Sequence, residues 1–161
     1  MSGDQLAETE LPRIFREFSE QGAGMRFMVV CRSRSRRKHD KFLPENSVCS
    51  WYFNIRSVDE IESPERADLG IVLNQIEHMR RTDAMHLLSR LRDQHCRKVL
   101  VSITEDVFSD QELLALGYIK QQHQSLDGRF YLFDPELFFE KREWNTPESW
   151  AHPGNFDKSR W

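Results

Sequence analysis

The hydrophobic pattern of this chain is densest in its middle. Residues 67–73 read Ala-Asp-Leu-Gly-Ile-Val-Leu, an apolar run of strand length that predicts a strand buried on both faces. A polar segment follows, Asn74-Gln75-Ile76-Glu77-His78-Met79. Ala84, Met85, Leu87, Leu88 and Leu91 then recur at helical spacing. They predict a helix over residues 82 to about 94 with a buried stripe, Thr82 as N-cap and Asp83 favourable in the first turn. Residues 98–103 form a second apolar run. Strand, helix and strand within forty residues predict a right-handed βαβ unit with parallel strands.

The flanks carry weaker patterns of the same kind. Leu11, Ile14, Phe15 and Phe18 make one stripe of an amphipathic helix. Thr9 is its predicted cap, Pro12 sits in its first turn, and Gly22 or Gly24 ends it. Residues 1 to about 9 read as a loose leader. Strands are expected at 25–31 and 48–55. Ser109 and Glu112 have the spacing of a capping box, with Phe108 and Leu113 as its hydrophobic staple and Gly117 at the helix end. Asp127-Gly128 signals a hairpin between strands at 118–125 and 129–133, and Asp134-Pro135 ends the sheet. Beyond it lie Phe138, Phe139, Trp144, Trp150, Phe156 and Trp161. A disordered tail is poor in aromatics. The segment from about 135 to 161 is therefore expected to pack on the domain, with Trp144, Trp150 and Trp161 at least partly buried. The predicted fold class is a single three-layer α/β domain over 1–161, mainly parallel, with an antiparallel hairpin at one edge.

Composition narrows the function classes. A chain of 161 residues with 39% hydrophobic and 30% charged positions can bury one core. Its net charge of −3 announces neither a nucleic-acid nor a membrane partner. No apolar run approaches the ~20 residues of a membrane helix. The acidic, polar start does not read as a signal peptide, and a cytoplasmic location is expected. Cys31, Cys49 and Cys96 lack C-x-x-C spacing and are expected as reduced, buried thiols. Arg32, Arg34, Arg36 and Arg37 lie in a basic run just after the first predicted strand, the edge of open α/β sheets where ligands bind. They are candidates for binding an anion on a phosphate-bearing partner. A solvated loop is the alternative, and the lack of interleaved aromatics weighs against nucleic acid. Asn74, Glu77 and His78 share a face at a strand-to-helix junction and could hold a divalent ion. Two strong ligands are too few alone, so the competing reading has Glu77 capping backbone amides and His78 packing at the sheet edge. No Walker loop, Gly-x-Ser-x-Gly or zinc-type cysteine spacing is present.

The order of these features resembles a known family. A parallel strand, Asn74-x-x-Glu77-His78, a helix, a strand ending Val101-Ser102-Ile103, a capped helix, Gly117 with an aromatic, and an antiparallel hairpin are similar to the second half of the class I S-adenosylmethionine-dependent methyltransferase fold. The resemblance spans about residues 66–134. Families of that superfamily carry Glu-x-x-Glu-His at this position, and in the small-RNA 2′-O-methyltransferases and ubiquinone-pathway O-methyltransferases it supplies metal ligands. Here Asn74 replaces the first glutamate, while Glu77 and His78 match and become candidate catalytic residues. The first half departs from the family. Arg32-Ser33-Arg34-Ser35 holds no glycine, and Phe53-Asn54-Ile55 ends the second strand without an acid. About 40 residues between Met25 and Arg66 imply a missing strand or helix. The resemblance thus implies a reduced methyltransferase-like domain that has lost its cofactor site. Such a chain is a non-catalytic binding or regulatory module with no cofactor and a protein or phosphate-bearing partner. The alternative is an active S-adenosylmethionine-dependent methyltransferase with an atypical or partner-completed pocket.

Overall fold

The strand that dominates the sequence pattern is also central in space. The computed structural model describes residues 3–19, 24–32, 43–122 and 129–138. Its elements are α1 (Gly3–Ser19), β1 (Arg26–Cys31), β2 (Val48–Phe53), β3 (Ala67–Leu73), α2 (Arg81–Arg90), β4 (Cys96–Ile103), α3 (Asp110–Ala115), β5 (Ile119–Gln121), β6 (Arg129–Phe133) and α4 (Pro135–Phe138). They build a six-stranded sheet in the order β2-β1-β3-β4-β6-β5. β1 pairs in parallel with β2 and β3, and β3 pairs in parallel with β4. β6 runs antiparallel to both β4 and β5. The expected mixed sheet is therefore present, and two strands precede β3 among the described residues.

Each face of the sheet carries its own apolar layer. Leu11, Ile14, Phe15 and Phe18 of α1 bury against Phe27, Val29, Leu69, Ile71, Leu73 and Leu100 on one face. Ala84, Leu87, Leu88 and Leu91 bury against Val72, Val99, Val101 and Tyr131 on the other. Each buried Val, Leu, Ile or Phe side chain among them contributes about 1.5–3 kcal/mol by leaving water. Helix, sheet and helix make three layers. Two buried tyrosines keep their polar tips satisfied: the Tyr118 hydroxyl donates to the Leu88 carbonyl at 2.8 Å and the Tyr131 hydroxyl to Asp110 Oδ1 at 2.6 Å.

Local signals placed several elements well. Ser109 Oγ accepts from the Glu112 amide, while the Glu112 carboxylate accepts from the Ser109 amide, completing the capping box. Phe108 and Leu113 are both buried beside it. Gly117 follows α3 with φ at 91°, the left-handed end that glycine adopts without penalty. Asp134 precedes α4 and accepts the Glu136 amide at 3.0 Å, capping a turn where sequence suggested only an end to the sheet.

Other expectations are corrected. Residues 3–9 belong to α1 rather than to a loose leader, so Thr9 lies inside the helix and Pro12 in its interior. Helix-forming Gln5, Leu6, Ala7 and Glu8 extend the helix beyond its apolar stripe, and docking of that stripe offsets the amide that Pro12 lacks. In α2 the N-cap position falls on Arg80, with no side-chain cap bond, so Thr82 is already helical. Met85 is 38% exposed, at the margin of a stripe that Ala84, Leu87 and Leu88 fill. The α-helix stops at Arg90, and a π turn over Leu91–His95 follows. There the Cys96 amide reaches the Leu91 carbonyl, which lets both residues be buried, and β4 starts two residues early. β2 ends at Phe53, because Asn54 turns the chain with φ at 54°. Cys49 is half-buried on this edge strand, whereas Cys31 and Cys96 are buried, and all three are free thiols. The tail with Trp144, Trp150 and Trp161, and the turn Asp127-Gly128, lie outside the described residues.

At Gly70 the absence of a side chain lets Cys96 approach β3 closely. A Cβ there would lie 2.5 Å from Cys96 Sγ. The thiol sits on a short buried side chain and cannot swing away. Gly70→Ala should destabilise the fold by about 1–3 kcal/mol, and a Cys96→Ala background should remove most of that cost. Equal losses in both backgrounds, by urea denaturation, would show that this overlap is not the cause. Burial pushes the Cys96 thiol from 9.0 up to about 12, against the opposing pull of Arg66. Its folded pKa is raised, so its contribution is intact below pH 9 and lost as the pH rises toward 12. Across that window the parent should lose stability more steeply than Cys96→Ala.

Candidate functional site

The carboxyl ends of the parallel strands gather the residues that the sequence singled out. Arg32 leaves β1 there, and its amide donates to the Leu73 carbonyl at the end of β3. Asn74 follows β3 with φ at 47°, a left-handed turn that asparagine tolerates. A 3₁₀ turn over Ile76–His78 then leads to α2. Arg32 and Asn74–His78 thus share the expected edge. Arg34, Arg36 and Arg37 lie outside the described residues.

Within this edge, β4 supplies the partner. The Glu77 Oε1 carboxylate oxygen accepts from the Thr104 amide at 2.7 Å and from Thr104 Oγ1 at 3.1 Å. Thr104 Oγ1 also lies 3.3 Å from Asn74 Oδ1. The buried Gln75 donates through Nε2 to the Ile55 carbonyl at 2.8 Å, which ties the β2–β3 connection to the same turn. Asn74 and Glu77 therefore both face the Thr104 hydroxyl, whose single proton serves one of them at a time, and the glutamate caps a backbone amide. His78 does not join them. It is exposed and makes no side-chain hydrogen bond to the described residues, rather than packing at the sheet edge.

No group of three His, Cys, Asp or Glu side chains suited to a metal occurs among the described residues. Glu77 already spends one oxygen on the Thr104 amide, although its Oε2 is buried and accepts no hydrogen bond, as is Gln75 Oε1. Thr104 is the residue that sequence reasoning missed. Its only signal is position, one residue past β4 and level with the polar turn after β3.

Comparison with known proteins bears on the fold and on the family. No curated protein matches the chain. Among solved structures it is similar to the 1,6-didemethyltoxoflavin-N1-methyltransferase of Burkholderia thailandensis, determined with bound 1,6-didemethyltoxoflavin and S-adenosylhomocysteine. The TM-score is 0.55 at 11% identity, over 80% of this chain and 77% of that one. At such identity the likeness shows a methyltransferase-like fold. A profile for a family of unknown function, DUF6231, matches residues 7–161, and the chain belongs to that family.

The bridge between β3 and β4 has a measurable consequence. Glu77→Ala removes the acceptor of the exposed Thr104 amide, which water replaces in part, and should cost about 0.5–1.5 kcal/mol. Thr104→Val keeps that amide bond and removes only the hydroxyl links, so it should cost less. A Glu77→Ala variant with parental stability in thermal denaturation would remove the bridge from the account of this edge.

Proposed function

We propose that this DUF6231 member is a non-catalytic binding or regulatory module on a methyltransferase-like scaffold. The observation that carries the reading is the Asn74–Thr104–Glu77 bridge. In open α/β sheets a ligand sits outside the carboxyl ends of the strands. Here Glu77 Oε1 and Asn74 Oδ1, past the end of β3, engage Thr104 past the end of β4, although Glu77 Oε2, Gln75 Oε1 and Ser102 Oγ stay buried without a partner. Two features of the chain support the same reading. The segment leaving β1, Arg32-Ser33-Arg34-Ser35, lacks the glycines that let backbone approach a cofactor closely. β2 is followed by Asn54 where a carboxylate would be wanted for ribose hydroxyls. The arginines also repel a sulfonium charge. They suit an anion instead, held by guanidinium forks, so the partner is a protein or other molecule that presents phosphate or carboxylate groups.

Titration calorimetry tests both halves. S-adenosylmethionine should give no binding heat at millimolar ligand, a ceiling of about 4 kcal/mol in affinity. A micromolar dissociation constant would overturn the reading and restore an active methyltransferase, with Glu77 and His78 at its centre. Inorganic tripolyphosphate should bind the parent, weaken as salt rises, and lose affinity when Arg34, Arg36 and Arg37 are changed to Ala. Equal binding to the triple variant would make the basic run solvated surface.

A further inference from the structure

At the opposite edge of the sheet, the amino ends of β3 and β4 open on a cleft of about 330 Å³. This is the lower end of the range for small-molecule sites, about 300–1,000 Å³. Phe18, Met25, Leu69 and Pro135 give it an apolar lining. The charged groups around it differ in how far they are already committed. Lys98 Nζ lies 3.0 Å from Asp134 Oδ2, and Asp134 Oδ1 accepts the Glu136 amide, so that pair is spent within the chain. Arg66 donates through Nε to the Cys96 carbonyl and through Nη2 to the Arg92 carbonyl.

Arg97 and Asp68 stand apart from these. Their closest atoms, Arg97 Nε and Asp68 Oδ1, are 4.0 Å apart, too far for a hydrogen bond. Asp68 holds its position through Oδ2, which accepts the Arg26 amide at 2.8 Å. Beyond this loose ion pair, Oδ1 and the Arg97 guanidinium keep hydrogen-bonding capacity at the cleft, one negative and one positive, beside its apolar lining.

We propose that this cleft binds a small zwitterion with an apolar body, an α-amino acid with a large hydrophobic side chain. Its carboxylate meets the Arg97 guanidinium, its ammonium meets Asp68 Oδ1, and its side chain lies on Phe18, Met25 and Leu69. A simple anion or cation satisfies one of the two mouth charges and leaves the other unmatched. This site does not depend on the reading of the carboxyl edge.

Chemical-shift mapping on the full-length protein tests it with three probes: phenylalanine, 3-phenylpropionate, which lacks the ammonium, and phenethylamine, which lacks the carboxylate. Phenylalanine should shift the amides of Met25, Leu69, Lys98 and Glu136, and bind about tenfold tighter than either analogue. Arg97→Ala alters a side chain that is 74% exposed, so the fold is kept. It should weaken phenylalanine about tenfold and leave phenethylamine unchanged. Shifts absent from these amides, 3-phenylpropionate binding as tightly as phenylalanine, or an Arg97→Ala variant of parental affinity would each overturn the proposal.

Discussion

Everything in this domain follows from the burial of β3 on both faces. Leu69, Ile71 and Leu73 point to α1, while Val72 and the gap at Gly70 face the layer of α2 and Cys96. A strand with apolar side chains on both faces cannot tolerate solvent on either, so helical layers must cover both. Parallel neighbours then follow, because a crossover through α2 returns the chain to the same end of the sheet. The close contact of Gly70 with Cys96 shows how little freedom is left. A single methyl group there has no space, since packed interiors hold few voids.

That constraint sends the chain's polar segments to the two sheet edges, and each edge resolves its polar groups differently. At the carboxyl edge, backbone groups beyond β3 and β4 would lie near a buried core without partners. Glu77 supplies one such partner by accepting the Thr104 amide, and Gln75 another by donating to the Ile55 carbonyl. A carboxylate bonded to a backbone amide is a strong, charge-assisted contact, and its replacement by a ligand group would leave that amide unmet. At the amino edge, Lys98 and Asp134 form a close ion pair, but Arg97 and Asp68 form only a loose one at 4.0 Å. The two edges thus differ in what a ligand must displace.

Legibility in the sequence tracks how local the cause is. β3 and α3 were readable because an apolar run, a capping box and Gly117 are each decided within a few residues. The start of α1 was not, because its apolar stripe begins at Leu11 while helix propensity carries the element back to Gly3. The π turn at Leu91–His95 was hidden as well. It arises because Leu91 and Cys96 both have to be buried, a demand set by tertiary packing and not by any residue in the turn. Of the site, Asn74 and Glu77 were visible as a motif, but Thr104 bonds across 27 positions and has no local signature. His78 matched the resembled motif by position alone, and its exposure separates it from the two neighbours that the fold uses.

The same argument explains why the likeness of fold says little about chemistry. A sheet buried on both faces is specified by apolar residues, which vary freely as long as volume and pattern are kept. A binding site is specified by a few polar groups on loops, and these change without cost to the core. Glu77 illustrates the point. In the resembled families a carboxylate at this position belongs to a ligand set. Here it holds two strand ends together through Thr104, and the residue before it in the motif is an amide, Asn74. One carboxylate oxygen caps the Thr104 amide as a structural clasp, while the other, Oε2, stays buried without a partner.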